Sequence, residues 1–281
     1  MKQKFNLMFA AIRPLVLTMV FCGASVFTSC SNDDNLAEPD LGLAGKIIGK
    51  WITAESNGKS LPTNEKVVLD FVSTTEAYES LSFQEANRPS TPWNDRQKDI
   101  VDINGNVVTL THSPEPGTTV IVDLHVERLT NSAMVAKRTV TVRKDGGLLR
   151  SDEDIVRCEK LDVDYSADIL GTWEGHSTGA EGSEFDDGEN HRWEYMTDGT
   201  LNYFRKVDGQ WQISDDAYAK YFVAGNLLCT RWKNAGEGNE EHREWWEIES
   251  IQNGVMKWKA LRQKEDGTTF TSTFEMKKVT E

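Results

Sequence analysis

Ile47-Ile48-Gly49-Lys50-Trp51 returns 122 residues later as Ile169-Leu170-Gly171-Thr172-Trp173, and this repetition decides the fold. The same spacing pairs Leu124 with Trp246, Val126 with Ile248, Leu129 with Ile251, Asn131 with Asn253 and Met134 with Met256. Slightly smaller offsets align Gly105-Asn106-Val107-Val108 with Gly225-Asn226-Leu227-Leu228, and Asp145-Gly146 with Asp266-Gly267, as short loop changes would. One unit is present twice.

Within each copy the apolar period is two. Leu69 and Phe71 flank Asp70, Leu124 and Val126 flank His125, and Trp246 and Ile248 flank Glu247, the pattern of strands with one buried face. Asn104-Gly105, Asp145-Gly146, Asp198-Gly199, Asp208-Gly209, Asn253-Gly254 and Asp266-Gly267 punctuate these runs with dipeptides suited to tight hairpins. Residues 215–221 are the one stretch with helical character. The chain is therefore expected to be all-β, with two tandem small antiparallel meander barrels. The expected divisions are a signal at 1–29, a tether at 30–45, a first β domain at 46–161, a linker at 162–167 and a second at 168–281. An alternative joins both copies into one larger closed sheet.

The repeated G-x-W, the aromatic strand ahead of Asp198-Gly199, the Gly-Asn before an apolar strand and the Lys-rich closing strand resemble lipocalin-like domains of Bacteroidetes lipoproteins. The resemblance spans residues 46–161 and 168–281. It implies a barrel in which Trp51 and Trp173, with Gly49 and Gly171, have a structural role, each tryptophan plugging one barrel end.

The N-terminus carries Lys2, Lys4 and Arg13, an apolar run from Leu15 to Phe27, then Phe27-Thr28-Ser29-Cys30. The run is too short to span a bilayer and reads as a cleaved export signal. The small residues before Cys30 resemble a bacterial lipobox, which implies lipidation of Cys30, including palmitate-type acylation, and a membrane attachment through that lipid. Ser31-Asn32-Asp33-Asp34 resembles the Bacteroidetes signal for the outer face of the outer membrane. A solvated tether is the plainer reading of the same run.

Residues 1–29 hold three basic and no acidic residues, so their removal takes the formal charge from −14 to −17. Nucleic acid and anionic lipid surfaces are poor partners for such a chain. Only Cys158 and Cys229 remain in the repeats, one in each, and two buried free thiols are expected.

Tryptophan separates the copies. The first holds Trp51 and Trp93; the second holds Trp173, Trp193, Trp211, Trp232, Trp245, Trp246 and Trp258. Inward aromatics of the second copy either fill its core or line a cavity, and their dominance in core energetics favours filling. Tyr195, Tyr203, Trp246 and Trp258 are the inward candidates for a ligand. Trp245 has the opposite phase and faces Asp123 in the alignment, so it belongs on a surface, where it stacks on a sugar, meets a partner or sits against the first copy.

Catalytic signals are weak. Gly175-His176-Ser177-Thr178-Gly179 matches a nucleophile-elbow string without the strand-turn-helix context that chemistry needs. Five carboxylates between Glu181 and Glu189 lack calcium-loop spacing, and His176, His191 and His242 lack zinc-ligand spacing. No catalysis, metal or cofactor is expected. The leading expectation is a non-catalytic, cell-surface lipoprotein that captures a small apolar ligand in a barrel. The runner-up binds glycan or protein through exposed aromatics such as Trp245 and the loop around Trp93, and a hydrolase is third.

Overall fold

Apart from one two-residue strand, each strand of the first repeat pairs antiparallel with the next in sequence, and the last returns to the first. In the computed structural model, which describes residues 42–83, 92–179, 190–214, 217–233, 241–264 and 266–280, these strands are β1 (Gly49–Ser56), β2 (Lys59–Ser60), β3 (Val67–Phe71), β4 (Glu76–Ser82), β5 (Trp93–Asn104), β6 (Val107–His112), β7 (Thr118–Leu129), β8 (Ala133–Lys144) and β9 (Gly147–Leu161). The β1–β9 ladder closes eight of them into a barrel, with the two-residue β2 hanging from β1. A five-residue helix, α1 (Gly42–Lys46), leads in, and a 3-10 turn covers Thr63–Glu65.

The second repeat gives β10 (Gly171–Gly179), β11 (His191–Tyr195), β12 (Leu201–Val207), β13 (Gln210–Ile213), β14 (Ala217–Ala224), β15 (Leu227–Lys233), β16 (Glu241–Gln252), β17 (Val255–Gln263) and β18 (Thr269–Lys278). Its order runs from β13 through β12, β11, β10, β18, β17, β16 and β15 to β14, so it forms a half-barrel rather than a closed ladder. The reason lies in one strand. The continuous β5 of the first barrel pairs with both β4 and β6, whereas its counterpart is split: β13 pairs with β12, and β14 pairs with β15. Among the described residues the gap is crossed by a bridge from Thr200 to Lys220, by the Tyr221 N–H bond to the Gly199 carbonyl and by the Tyr221 hydroxyl, which donates to the Met196 carbonyl at 2.8 Å.

The hairpin dipeptides act as expected where both turn residues have positive φ. Asp145 and Gly146 have φ of 50° and 82°, and Asn253 and Gly254 have 52° and 72°, the geometry a two-residue turn needs to match strand twist. The helical reading of 215–221 is overturned: residues 217–221 lie in β14, where pairing with β15 overrides local propensity. Residues 215 and 216 lie outside the described residues. The single larger sheet is also excluded, because the two repeats form separate sheets.

The paired tryptophans occupy equivalent places. Trp51 is fully buried and donates its indole N–H to the Ile47 carbonyl at 2.6 Å; Trp173 does the same to Ile169 at 2.6 Å. Lys160 and Lys278 each place Nζ 5.2 Å from the respective ring centroid. Even the bulges repeat, between Val126 and Arg128 in β7 and between Ile248 and Ser250 in β16.

The two sheets meet through a small apolar core of their own. Ile52 and Val68 alternate with the inward Trp51 and Leu69, so they face outward from the first barrel, where they pack with Phe222, Ala224, Leu227, Cys229 and Trp245. Burial of side chains of this size stabilises by roughly 1.5–3 kcal/mol each. Polar groups fix the register across this core: Trp245 donates to the Ser82 carbonyl at 2.6 Å, Arg243 to Phe83 and Pro92 carbonyls at 2.5 and 2.7 Å, and Lys66 pairs with Glu247 at 2.8 Å.

Candidate functional site

The first barrel is hollow and the second is filled. Strand alternation turns Leu69, Leu81, Val122, Leu124, Val156 and Cys158 into the first interior, where they line a cavity of about 850 Å³. Small-molecule sites fall in the range of roughly 300–1,000 Å³. Trp51, Phe71 and Met134 are fully buried toward one end, beneath Ile47. The cavity lies toward the other end, where Asn64, Glu65, Pro114 and Arg150 form its rim.

Halfway up the wall the apolar phase is broken by ionisable groups. Glu79 on β4, Asp99 on β5 and His112 on β6 lie on neighbouring strands in a register that turns them inward. His112 Nδ1 and Asp99 Oδ1 are 2.7 Å apart, both side chains almost wholly buried, and this bond holds the imidazole above its ordinary pKa. Burial, and then the charge of Asp99, pushes Glu79 up to about 7, against the opposing pull of His112, Asn94 and Arg138. Glu79 is only half-buried, and the cavity is what its open surface meets.

Arg138 on β8 and Asp154 on β9 form a two-point ion pair, Nε to Oδ1 at 2.9 Å and Nη2 to Oδ2 at 2.8 Å, with Ser56 donating to Asp154 at 2.6 Å. Burial opposes ionisation of Asp154, yet the Arg138 and Ser56 bonds outweigh it and keep the carboxyl below its usual range. Asp99 Oδ2, by contrast, is buried with no hydrogen-bond partner among the described residues. Cys158 is free, and burial lifts its thiol to about 12, so it is an inert part of the wall; Cys229 is likewise free and buried.

Sequence reasoning missed this row. A signal was present: Glu79 sits in phase with Ala77 and Leu81, Arg138 with Met134 and Ala136, and His112 with Val108 and Leu110, each an ionisable residue on an apolar face.

The residues named in advance do converge. Tyr195, Tyr203, Trp246 and Trp258 all line one space in the second repeat, but its volume is about 200 Å³, below the usual range for a ligand site. Rings take up the room: Trp258 lies 5.3 Å from Trp193, 5.2 Å from Trp246 and 5.7 Å from Phe274, centroid to centroid. Register explains the contrast, since Leu69, Leu124, Ala136 and Val156 stand where the second repeat has Trp193, Trp246, Trp258 and Phe274.

Trp245 requires a correction as a ligand-facing residue. It is 7% exposed and wedged between the repeats, the third of its three expected surroundings. Trp93 is spent on the same contact, 4.9 Å from Phe222 and beneath the Arg231 guanidinium at 4.4 Å. The nucleophile-elbow string lies inside β10, with Ser177 donating to the Thr273 carbonyl. Gly175 is there for space, because a Cβ would fall 1.9 Å from the Glu275 carbonyl oxygen. The acidic run 181–189 and Cys30 lie outside the described residues.

A further open cleft of about 580 Å³ runs between the repeats, where Lys50 pairs with Asp164 at 2.5 Å and with Asp70 at 3.6 Å.

No family model matches the chain, and no curated protein matches it. Among solved structures it is similar to a DUF3598-family protein of unknown function from Nostoc punctiforme, at 11% identity and a TM-score of 0.25, over 84% of this chain and 97% of that one. It is also similar to two mutants of the vaccine antigen transferrin binding protein B from Haemophilus parasuis. One is 8% identical with a TM-score of 0.23, over 83% of this chain and 75% of that one; the other is 9% identical with a TM-score of 0.21, over 78% and 54%. Likeness at these TM-scores carries no functional argument.

Proposed function

We propose that this chain is a non-catalytic binding protein that captures a small, largely apolar molecule inside its first barrel. The observation that carries the reading is the 850 Å³ cavity, whose wall joins aliphatic side chains such as Leu69, Val122, Leu124 and Val156 to a set of polar and ionisable ones, and which the smaller space in the second repeat does not match. The second repeat then serves as a rigid buttress packed on β1 and β3. A lipid on Cys30 would hold the protein on the outer membrane, facing outward, where a captured molecule arrives from the medium.

The glycan reading is weakened at the two aromatics that carried it, because Trp245 is buried between the repeats and Trp93 is half-buried there against Phe222. Titration with a fluorescent apolar probe, displaced by decanol, tests capture. Saturable binding at one site per chain is the expected result; no binding of any apolar probe refutes the reading. Protease treatment of intact cells tests the location, and full protection of the chain contradicts outward display.

A further inference from the structure

The apolar walls of the first barrel say that a ligand has an apolar body; the polar row says what its head must be. The inference rests on the capture reading above and sharpens it.

Three observations bear on the head group. Asp99 is 2% exposed, and its Oδ2 has no donor among the described residues, an arrangement that destabilises the fold. Glu79 beside it presents a carboxyl to the cavity. The basic groups nearby are already committed: Arg138 to Asp154 through two bonds, and His112 to Asp99 through one. A carboxylate ligand would have to compete with Asp154 for Arg138 while approaching Asp99, whose charge repels it, and would deepen the burial of like charge beside Glu79. A cation meets the opposite field.

We infer that the first barrel takes an amphiphile with an apolar body and a protonated amine head, the ammonium donating to Glu79, the carboxyl that lines the cavity, with the buried Asp99 on the neighbouring strand adding its charge. The aliphatic walls above and below would hold the body, as lining by apolar residues with a few placed polar groups does in small-molecule sites generally. The groups that face Glu79 are Asp99 and Asn94 on β5, His112 on β6 and Arg138 on β8. Burial holds the Glu79 proton on near neutrality, and an entering ammonium would replace that proton. Charge on the whole chain acts in the same direction, since a formal −14 draws cations toward any mouth.

The test compares decylamine, decanol and decanoate on the folded chain with both repeats, by calorimetry at pH 7.5, on wild type and Glu79→Gln. The inference expects decylamine to bind about tenfold or more tighter than either of the others, and expects Glu79→Gln to abolish that preference. Equal binding of decanol and decylamine, or preference for decanoate, overturns the inference while leaving apolar capture standing. A preference for decylamine that survives Glu79→Gln overturns the assignment to this carboxyl. Failure of all three probes overturns capture itself. The wild-type comparison keeps the inference falsifiable if the variant does not fold.

Discussion

Leu124 and Trp246 occupy equivalent positions in the two repeats, each facing its own interior, and the difference in their size separates a cavity from a packed core. Transplanting the larger ring is therefore the sharpest perturbation of the first barrel. Leu124→Trp should leave the β spectrum intact and reduce the affinity of a neutral apolar probe by at least about tenfold, because the indole occupies the space the ligand needs. Probe titration with circular dichroism on the same sample checks both halves.

The contact between repeats gives a second prediction. Trp245→Ala removes the indole that Ile52, Val68 and Phe222 pack around, and leaves the Ser82 carbonyl without its donor. Loss of a buried tryptophan of this kind costs about 3–5 kcal/mol. Urea unfolding should show that loss, and apolar binding should persist, since Trp245 lies outside the cavity wall.

pH should act through the polar row. Glu79 keeps its proton in the folded state up to about pH 7, whereas an unfolded chain releases it near 4.5, so the folded state holds more protons across that window. Stability therefore falls as pH rises from about 5 toward 8. His112 adds the same sign: its raised pKa stabilises fully below its ordinary 6.5, and the contribution is lost as pH climbs through the folded value. Glu79→Gln should flatten the slope and raise stability at pH 8 by on the order of 1–3 kcal/mol, measured as melting temperature against pH.

The plug at the closed end supplies a fourth. Trp51→Phe keeps most of the apolar contact but strands the Ile47 carbonyl that the indole N–H satisfies at 2.6 Å. A loss of about 1–3 kcal/mol is expected in denaturant titration. Trp173→Phe should match it, because the Ile169 bond is the same length.

Much of the architecture was legible in the chain. The G-x-W repeat, the period-two runs and the Asp-Gly and Asn-Gly turns give two antiparallel meanders because each signal is local: a turn fixes register, and alternation fixes which face is buried. The split of β13 from β14 was not read from the chain: Ser214-Asp215-Asp216 is a turn-rich run, but which strands its two flanks join depends on pairing with β12 and β15. For the site, aromatic content pointed to the second repeat, and Tyr195, Tyr203, Trp246 and Trp258 do converge there. Aromatic rings fill a barrel as readily as they line one, so counting them could not separate cavity from core. The hollow barrel was marked instead by small side chains at the inward phase, Ala136 and Val156 against Trp258 and Phe274, and by Glu79, His112 and Arg138 among apolar neighbours.

The most direct test of where the ligand sits is a structure of the chain crystallised with a neutral apolar molecule such as decanol. Density is expected in the first barrel, against Leu69, Leu124 and Val156 and below the rim at Asn64 and Pro114. Density among Trp193, Trp246 and Trp258 of the second repeat, with the first barrel dry, would contradict it.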